Sequence, residues 1–238
     1  MELAGKRILV TGGAVRVGRA IALELAAAGA ALLCHYHRSE DAARDLAATL
    51  DSRGQSVNLL REDLAAPGGA ERLAAAAGPV DALVNSAAVF LPGRLGGVTE
   101  ADWDLQLSLN LKSVFFLSQA LGTAMRERGG AIVNIADVAG QRPWPRYLAY
   151  SASKAGVIAR TQGLARALAP AVRVNAVAPG PVMLPADYDD AQRDEALRGT
   201  LLGREGSAGN VAHAVRFLLE NDYVTGVVLP VDGGRALK

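Results

Sequence analysis

Tyr150 and Lys154 are four residues apart, a spacing that puts both on one face of a helix. An ammonium beside a phenol favours the phenolate and lowers its pKa from about 10, so that a tyrosine exchanges protons near neutral pH. Lysine is scarce: Lys6, Lys112, Lys154 and Lys238 are the whole complement among 25 basic residues. The plain alternative is a half-buried tyrosine with a lysine stem lying along the surface. A second feature is the run Thr11-Gly12-Gly13-Ala14-Val15-Arg16-Val17-Gly18. Gly12 permits a tight turn, Gly18 permits close packing, and a helix starting there offers free N–H groups to a pyrophosphate. A third is Tyr36-His37-Arg38-Ser39, placed where a fold that binds NAD(H) carries an acid for the ribose 2′-hydroxyl. The first acid is Glu40, inside the next helix. Arg38, with Ser39 and His37, suits a 2′-phosphate, which predicts NADP(H); capping a surface loop is the other role open to Arg38.

These residues need a frame. Apolar, β-branched runs predict strands at 6–11, 31–36, 55–60, 80–86, 131–136, 172–178 and 227–230, and amphipathic stretches predict helices at 16–28, 39–50, 69–77, 148–168 and 208–220. Ser39 is read as the N-cap of its helix. The segment Asp104–Lys112 alternates apolar and polar residues with period two, a strand signal. Thr99-Glu100-Ala101-Asp102 nevertheless looks like a helix start and no turn interrupts the residues after it, so 99–126 is read as one long helix. Strand–helix alternation with continuous apolar strands predicts a parallel sheet covered on both faces, a doubly wound Rossmann-type α/β fold, in a single domain. Pro181, Pro185 and the charged run Asp187–Asp194 break the pattern, and 181–206 is read as a loop over the substrate.

Composition narrows the function classes. The 238 residues carry 25 basic and 24 acidic side chains, a net charge of +1, and are 50% hydrophobic, enough for a real core. No basic block points to nucleic acid, and no run is long and apolar enough for a membrane span. The lone Cys34 forms no internal disulfide and the first residues lack a signal-peptide pattern, so a reducing cytoplasm is expected. His35 and His37 fall on one strand face, but no further ligand cluster follows, and no metal site is expected.

Taken in order, the motifs resemble the short-chain dehydrogenase/reductase family. Thr11–Gly18 resembles the cofactor turn, Asp63-Leu64 the adenine contact, Asn85-Ser86-Ala87 the segment after the fourth strand, and Tyr150 to Lys154 the catalytic pair. Asn110, Pro179-Gly180, and Val231-Asp232-Gly233-Gly234 continue the order. The resemblance implies catalytic roles for Asn110, Tyr150 and Lys154, with Asn110 in a long helix holding a water. It also implies cofactor contacts at Gly12, Arg16, Val17, Gly18, Asp63, Leu64, Asn85, Ser86, Ala87, Pro179, Gly180 and Val182, besides those read above. A homotetramer pairing through 99–126 and 148–168 is implied too.

Two departures are similar to pteridine reductases: Arg16 where the family's turn has glycine, and Asp137 where a serine stands thirteen positions before the tyrosine. In that group the counterpart of Arg16 reaches the cofactor phosphate and the substrate edge, and the counterpart of Phe90 stacks on the pterin. Ala88 replaces a small hydroxyl residue of the group. A serine hydroxyl donates to a carbonyl oxygen, whereas an ionised carboxylate cannot. Asp137 therefore suits a substrate whose reduced bond ends in a ring nitrogen, with Tyr150 supplying the proton; capping a turn is its other possible role. The expected activity is NADPH-dependent reduction of a pterin, with Arg16, Phe90, Asp137 and Tyr150 on the substrate. The alternatives are a carbonyl or 3-oxoacyl-thioester reductase and a non-catalytic NADP(H)-binding sensor.

Overall fold

Seven short apolar runs pair side by side in one parallel sheet in the order β3-β2-β1-β4-β5-β6-β7. The computed structural model describes residues 1–184 and 186–238. The first half alternates β1 (Arg7–Thr11), α1 (Arg16–Ala27), β2 (Ala31–Tyr36), α2 (Glu40–Asp51), β3 (Val57–Arg61), α3 (Gly69–Ala77) and β4 (Ala82–Asn85). Then come α4 (Glu100–Leu107), α5 (Ser113–Met125), β5 (Gly130–Ile135), α6 (Leu148–Leu168), β6 (Val172–Pro179), α7 (Asp190–Arg198), α8 (Ala208–Glu220) and β7 (Val228–Val231). Register is fixed because both sheet faces are buried. Ile8 and Val10 pack with Ile21, Leu46 and Val215 from α1, α2 and α8, while Leu9 packs with Leu73, Leu117 and Leu168 from α3, α5 and α6. A slip by one residue would exchange these two faces. The doubly wound fold read from the sequence is the fold observed.

The order reverses beside β1, whose neighbours are β2 and β4. The carboxyl ends of these strands open a crevice there. Asp104–Lys112 is helical despite its period of two. α4, capped by the Thr99 side chain, runs through a π-helical turn at Ser108–Lys112 into α5. The reading of 181–206 as a loop needs correction, because α7 lies within it. Asp189 accepts from the Gln192 N–H, and the Gln192 side chain accepts from the Asp189 N–H, a reciprocal cap that starts a helix without an apolar face. Pro185, part of that reading, lies outside the described residues. No helix among the described residues is long and apolar enough to cross a membrane.

Candidate active site

At the end of β1 the chain turns so tightly that only glycine fits. A Cβ on Gly12, whose φ is +62°, would stand 2.9 Å from the Ala87 Cα, and one on Gly18 would stand 2.1 Å from the Gly12 carbonyl oxygen. Thr11 Oγ1 fastens this turn to the end of β4, accepting the Ser86 and Ala87 N–H groups at 2.9 and 3.0 Å. The N-cap of α1 is Val15, which has no side-chain acceptor, so the first N–H groups of α1 remain available to an anion. Ser39 occupies the N-cap of α2 as expected but makes no capping bond. It lines the cleft beside His37 and Arg38, and Arg38 has no ion-pair partner among the described residues. This donor set fits a dinucleotide bearing a 2′-phosphate. His37 Nδ1 lies 3.8 Å from Asp63, which lines the same wall with Leu64.

One cleft of about 710 Å³ runs from that wall to Tyr150 and also takes in Arg16, Val17, Pro179, Gly180 and Val182. Arg16, with a left-handed backbone (φ +49°), sends its guanidinium to the Met183 carbonyl. Asn85, read as a cofactor contact, does not bring its side chain here. It is buried, and its amide donates to Ser118 Oγ of α5 and Asn134 Oδ1 of β5.

Tyr150, Asp137 and Lys154 meet at the ends of β5 and α6. The Tyr150 hydroxyl donates to Asp137 Oδ2 at 2.9 Å, and Asp137 Oδ1 accepts the Ala139 N–H at 2.8 Å, capping the 3-10 turn Val138–Gly140. Capping and contact with the tyrosine thus use different oxygens of one carboxyl group. Burial raises the Asp137 pKa to about 6, opposed by the Ala139 N–H, Lys154, Tyr150 and Arg235. Lys154 is buried and donates to the Ile135 carbonyl at 2.7 Å, its ammonium 5.6 Å from the centre of the Tyr150 ring. Burial lowers its pKa to about 8 against the pull of Asp137. The expectation that Lys154 lowers the Tyr150 pKa is not met in this arrangement. Burial first, then the charge and acceptor bond of Asp137, push the phenol well above its ordinary value. Tyr150 is therefore a neutral hydroxyl that holds its proton on the line to Asp137.

Around this group stands an aromatic wall. Phe90 stacks on Tyr147 at 4.2 Å and 12°, and meets Tyr150 at 4.7 Å and Trp144 at 6.5 Å nearly at right angles. Phe90 is thus one member of a composite surface. Asn110 does not line the cleft. Its Oδ1 accepts the Val89 N–H, its Nδ2 donates to the Val89 carbonyl and to Ser153 Oγ, and Ser153 donates to the Tyr150 carbonyl. The expected water-holding role becomes, for this side chain, a grip on the backbone beside Phe90. Sequence reasoning missed Trp144, Tyr147, Tyr188 and Arg235. Tyr147 shares a 3.0 Å hydroxyl contact with Tyr188, and the Arg235 guanidinium lies 5.5 Å from the centre of the Trp144 ring. The cluster Trp144-Pro145-Arg146-Tyr147 just before Tyr150 was a usable signal, because only 5% of the chain is aromatic. No group of three or more His, Cys, Asp or Glu among the described residues is arranged to hold a metal.

Comparison with known proteins agrees with this architecture. A family profile described as enoyl-(acyl carrier protein) reductase matches residues 13–236. Nodulation protein G of a Rhizobium species is 37% identical over 244 residues, covering 99% of each chain. The 3-oxoacyl-(acyl-carrier-protein) reductase FabG of Escherichia coli is 37% identical, covering 98% of each. Among solved structures, FolM alternative dihydrofolate reductase 1 of Brucella canis, complexed with NADP, superposes with a TM-score of 0.91 at 31% identity, covering 100% of this chain and 96% of that one. With the glycine turn, the Tyr150–Lys154 pair and the seven-stranded sheet in register over nearly its whole length, the chain belongs to the short-chain dehydrogenase/reductase family.

Proposed function

We propose that this protein is an NADPH-dependent reductase of a pterin ring of the dihydrofolate or dihydrobiopterin class, acting on a C=N bond. The observation that carries this reading is the contact of the Tyr150 hydroxyl with Asp137 Oδ2 at 2.9 Å. Reduction of a ketone leaves an oxyanion that benefits from two donors, and a carboxylate beside the tyrosine withholds the second. Reduction of C=N needs a single proton at nitrogen, which the neutral Tyr150 provides. The aromatic wall of Phe90, Tyr147 and Trp144 suits a flat heterocycle, and the FolM structure of Brucella adds support by its likeness.

The glycine turn and the N–H groups of α1, with Arg16, would hold the pyrophosphate, and Arg38, Ser39 and His37 the 2′-phosphate. Asp63, Leu64, Ser86 and Ala87 would flank the adenosine half, and Pro179, Gly180 and Val182 the nicotinamide half. When bound, NADPH supplies a hydride to the ring carbon. Tyr150 gives its proton to the neighbouring nitrogen, so that C=N becomes CH–NH. With a pKa of about 6, Asp137 is mostly the carboxylate at pH 7, and its protonated minority restores the proton to Tyr150. Lys154, still mostly cationic at pH 7 with its pKa of about 8, steadies the transient phenolate and would help hold the nicotinamide ribose. Asn110, Gln106 and Ser153 act by holding the backbone around Phe90 and Tyr150. The assembly read from the resemblance, a homotetramer through α4, α5 and α6, belongs to the same proposal.

The second reading, reduction of a 3-oxoacyl thioester, draws on the 37% identity to FabG. Side-by-side assays with dihydrofolate, dihydrobiopterin and a 3-oxoacyl thioester separate the two. Turnover of a dihydropterin with little thioester activity is the expected result, and turnover of the thioester alone would overturn the pterin reading.

A further inference from the structure

We propose that His35 is a positioning residue for the dinucleotide turn, holding it only as the neutral imidazole with its proton on Nε2. The inference rests on the NADP(H) part of the proposed function and is independent of the pterin part. His35 sits near the end of β2, opposite Thr11 of β1 and only 3% exposed. Its two ring nitrogens face two main-chain groups whose roles cannot change. The Gly12 N–H, which can only donate, lies 3.2 Å from Nδ1, and the Glu62 carbonyl, which can only accept, lies 3.0 Å from Nε2. Nδ1 must therefore be bare and Nε2 must carry the proton. The His35 backbone carbonyl also takes the Gly13 N–H at 3.1 Å, so one residue fastens two successive amides of the turn.

Gly12 has little freedom of its own. Its φ is +62°, and it lies so close to Ala87 that the turn cannot slide toward β4. On its other side, the ring grips Glu62, the residue before Asp63 and Leu64. The imidazole is thus a strut between the phosphate turn and the adenosine wall, both of which line the same cleft. Protonation would bring an Nδ1–H against the Gly12 N–H, two donors with no acceptor between them, and the turn would have to shift. The charged and titratable groups acting on the ring are His37, just past the end of its strand, and Glu62 and Asp63 after β3, while Arg16 and Arg38 line the same cleft. Glu62 is already engaged by Arg72 at 2.9 Å and by the Asp63 N–H. Burial, the largest influence, lowers the His35 pKa below 6.5 and keeps the ring neutral at pH 7.

The test uses the whole protein and NADPH binding followed by fluorescence, without turnover. His35→Asn keeps an acceptor near the Nδ1 position and no longer titrates, whereas His35→Gln reaches toward Glu62 and leaves the Gly12 N–H without its partner. His35→Gln is expected to weaken NADPH binding at pH 7.5 by about tenfold or more, and His35→Asn by no more than about threefold. As pH falls from 8 to 5, the wild-type Kd should rise more steeply than that of His35→Asn, because the 2′-phosphate titrates in both and His35 only in the wild type. Nitrogen NMR of the protein without nucleotide should show a bare Nδ1 and a protonated Nε2. Wild-type affinity in His35→Gln, parallel pH curves, or a proton on Nδ1 would each overturn the inference. If thermal melting shows His35→Gln unfolded, the comparison of wild type with His35→Asn decides. A wild-type protein that does not bind NADPH removes the nucleotide reading and this inference with it; binding that ignores His35 removes this inference alone.

Discussion

The carboxyl group of Asp137 divides its oxygens, one to the Ala139 N–H and one to the Tyr150 hydroxyl. The first contact fixes the side-chain rotamer that aims the second. Asp137→Asn keeps an oxygen for the cap and removes the titrating acid. If protonated Asp137 feeds Tyr150, wild-type kcat falls as pH rises through about 6, and this limb should vanish in Asp137→Asn, with kcat lower by about 100-fold and NADPH Kd unchanged. The same shift acts on stability. A folded pKa of about 6 against an ordinary 3.8 favours the native state at low pH, and that contribution, about 3 kcal/mol, is lost as pH rises from 4 through 6. Thermal melts should accordingly show Asp137→Asn gaining on the wild type between pH 5 and pH 8. Tyr150→Phe removes the proton donor and its contact with Asp137 but no apolar surface. Single-turnover assays should show reduction abolished, with NADPH affinity within about twofold, and unchanged turnover would remove Tyr150 from its role. The Tyr150–Lys154 pair was legible because helix geometry turns a spacing of four into proximity. The direction of the Tyr150 pKa was not, because it depends on burial and on Asp137, which only the folded chain brings to the phenol.

The helix of α4 and α5 shows why a period can mislead. Leu105, Leu107, Leu109 and Leu111 make the alternation, yet Leu105 is 40% exposed while Gln106 and Asn110 are 2% and 1% exposed. The polar members face inward to hold the backbone of Leu91 and Val89 on either side of Phe90, and the π-helical turn shifts the side chains at that point. Asn110→Ala should strand the Val89 N–H and carbonyl, costing about 2–4 kcal/mol of stability and lowering kcat by more than its effect on NADPH binding. Equal losses in both, measured by steady-state kinetics and binding, would refute a role confined to the Phe90 side. The strands were readable as continuous apolar runs, since both sheet faces are covered. α7 was not, because it buries none of its residues and is specified by its cap.

Across the molecule, residues far apart in sequence converge on the carboxyl edge of the sheet, where the strand order reverses beside β1. Arg235 follows β7, at the opposite edge of the sheet from β3. It nevertheless lies over Trp144 at 5.5 Å, donates to the Ala196 carbonyl of α7 at 2.7 Å, and adds positive charge that lowers the Asp137 pKa. Charge totals gave no hint of this, because a net charge of +1 averages over the whole surface while the guanidinium acts at one place. α7 has no buried side chain of its own, so its position along the cleft depends on such tethers, with the Tyr147–Tyr188 contact as another. Arg235→Ala should release α7 and raise the substrate KM by about 5- to 20-fold, the equivalent of about 1–2 kcal/mol. It should leave NADPH Kd unchanged, because the phosphate turn lies on the other side of the cleft. It should also move the descending limb of the pH profile to higher pH, since removing a positive neighbour raises the Asp137 pKa further. A KM change with an unmoved pH profile would mean that Arg235 acts on α7 alone. If neither changes, α7 is held by other contacts.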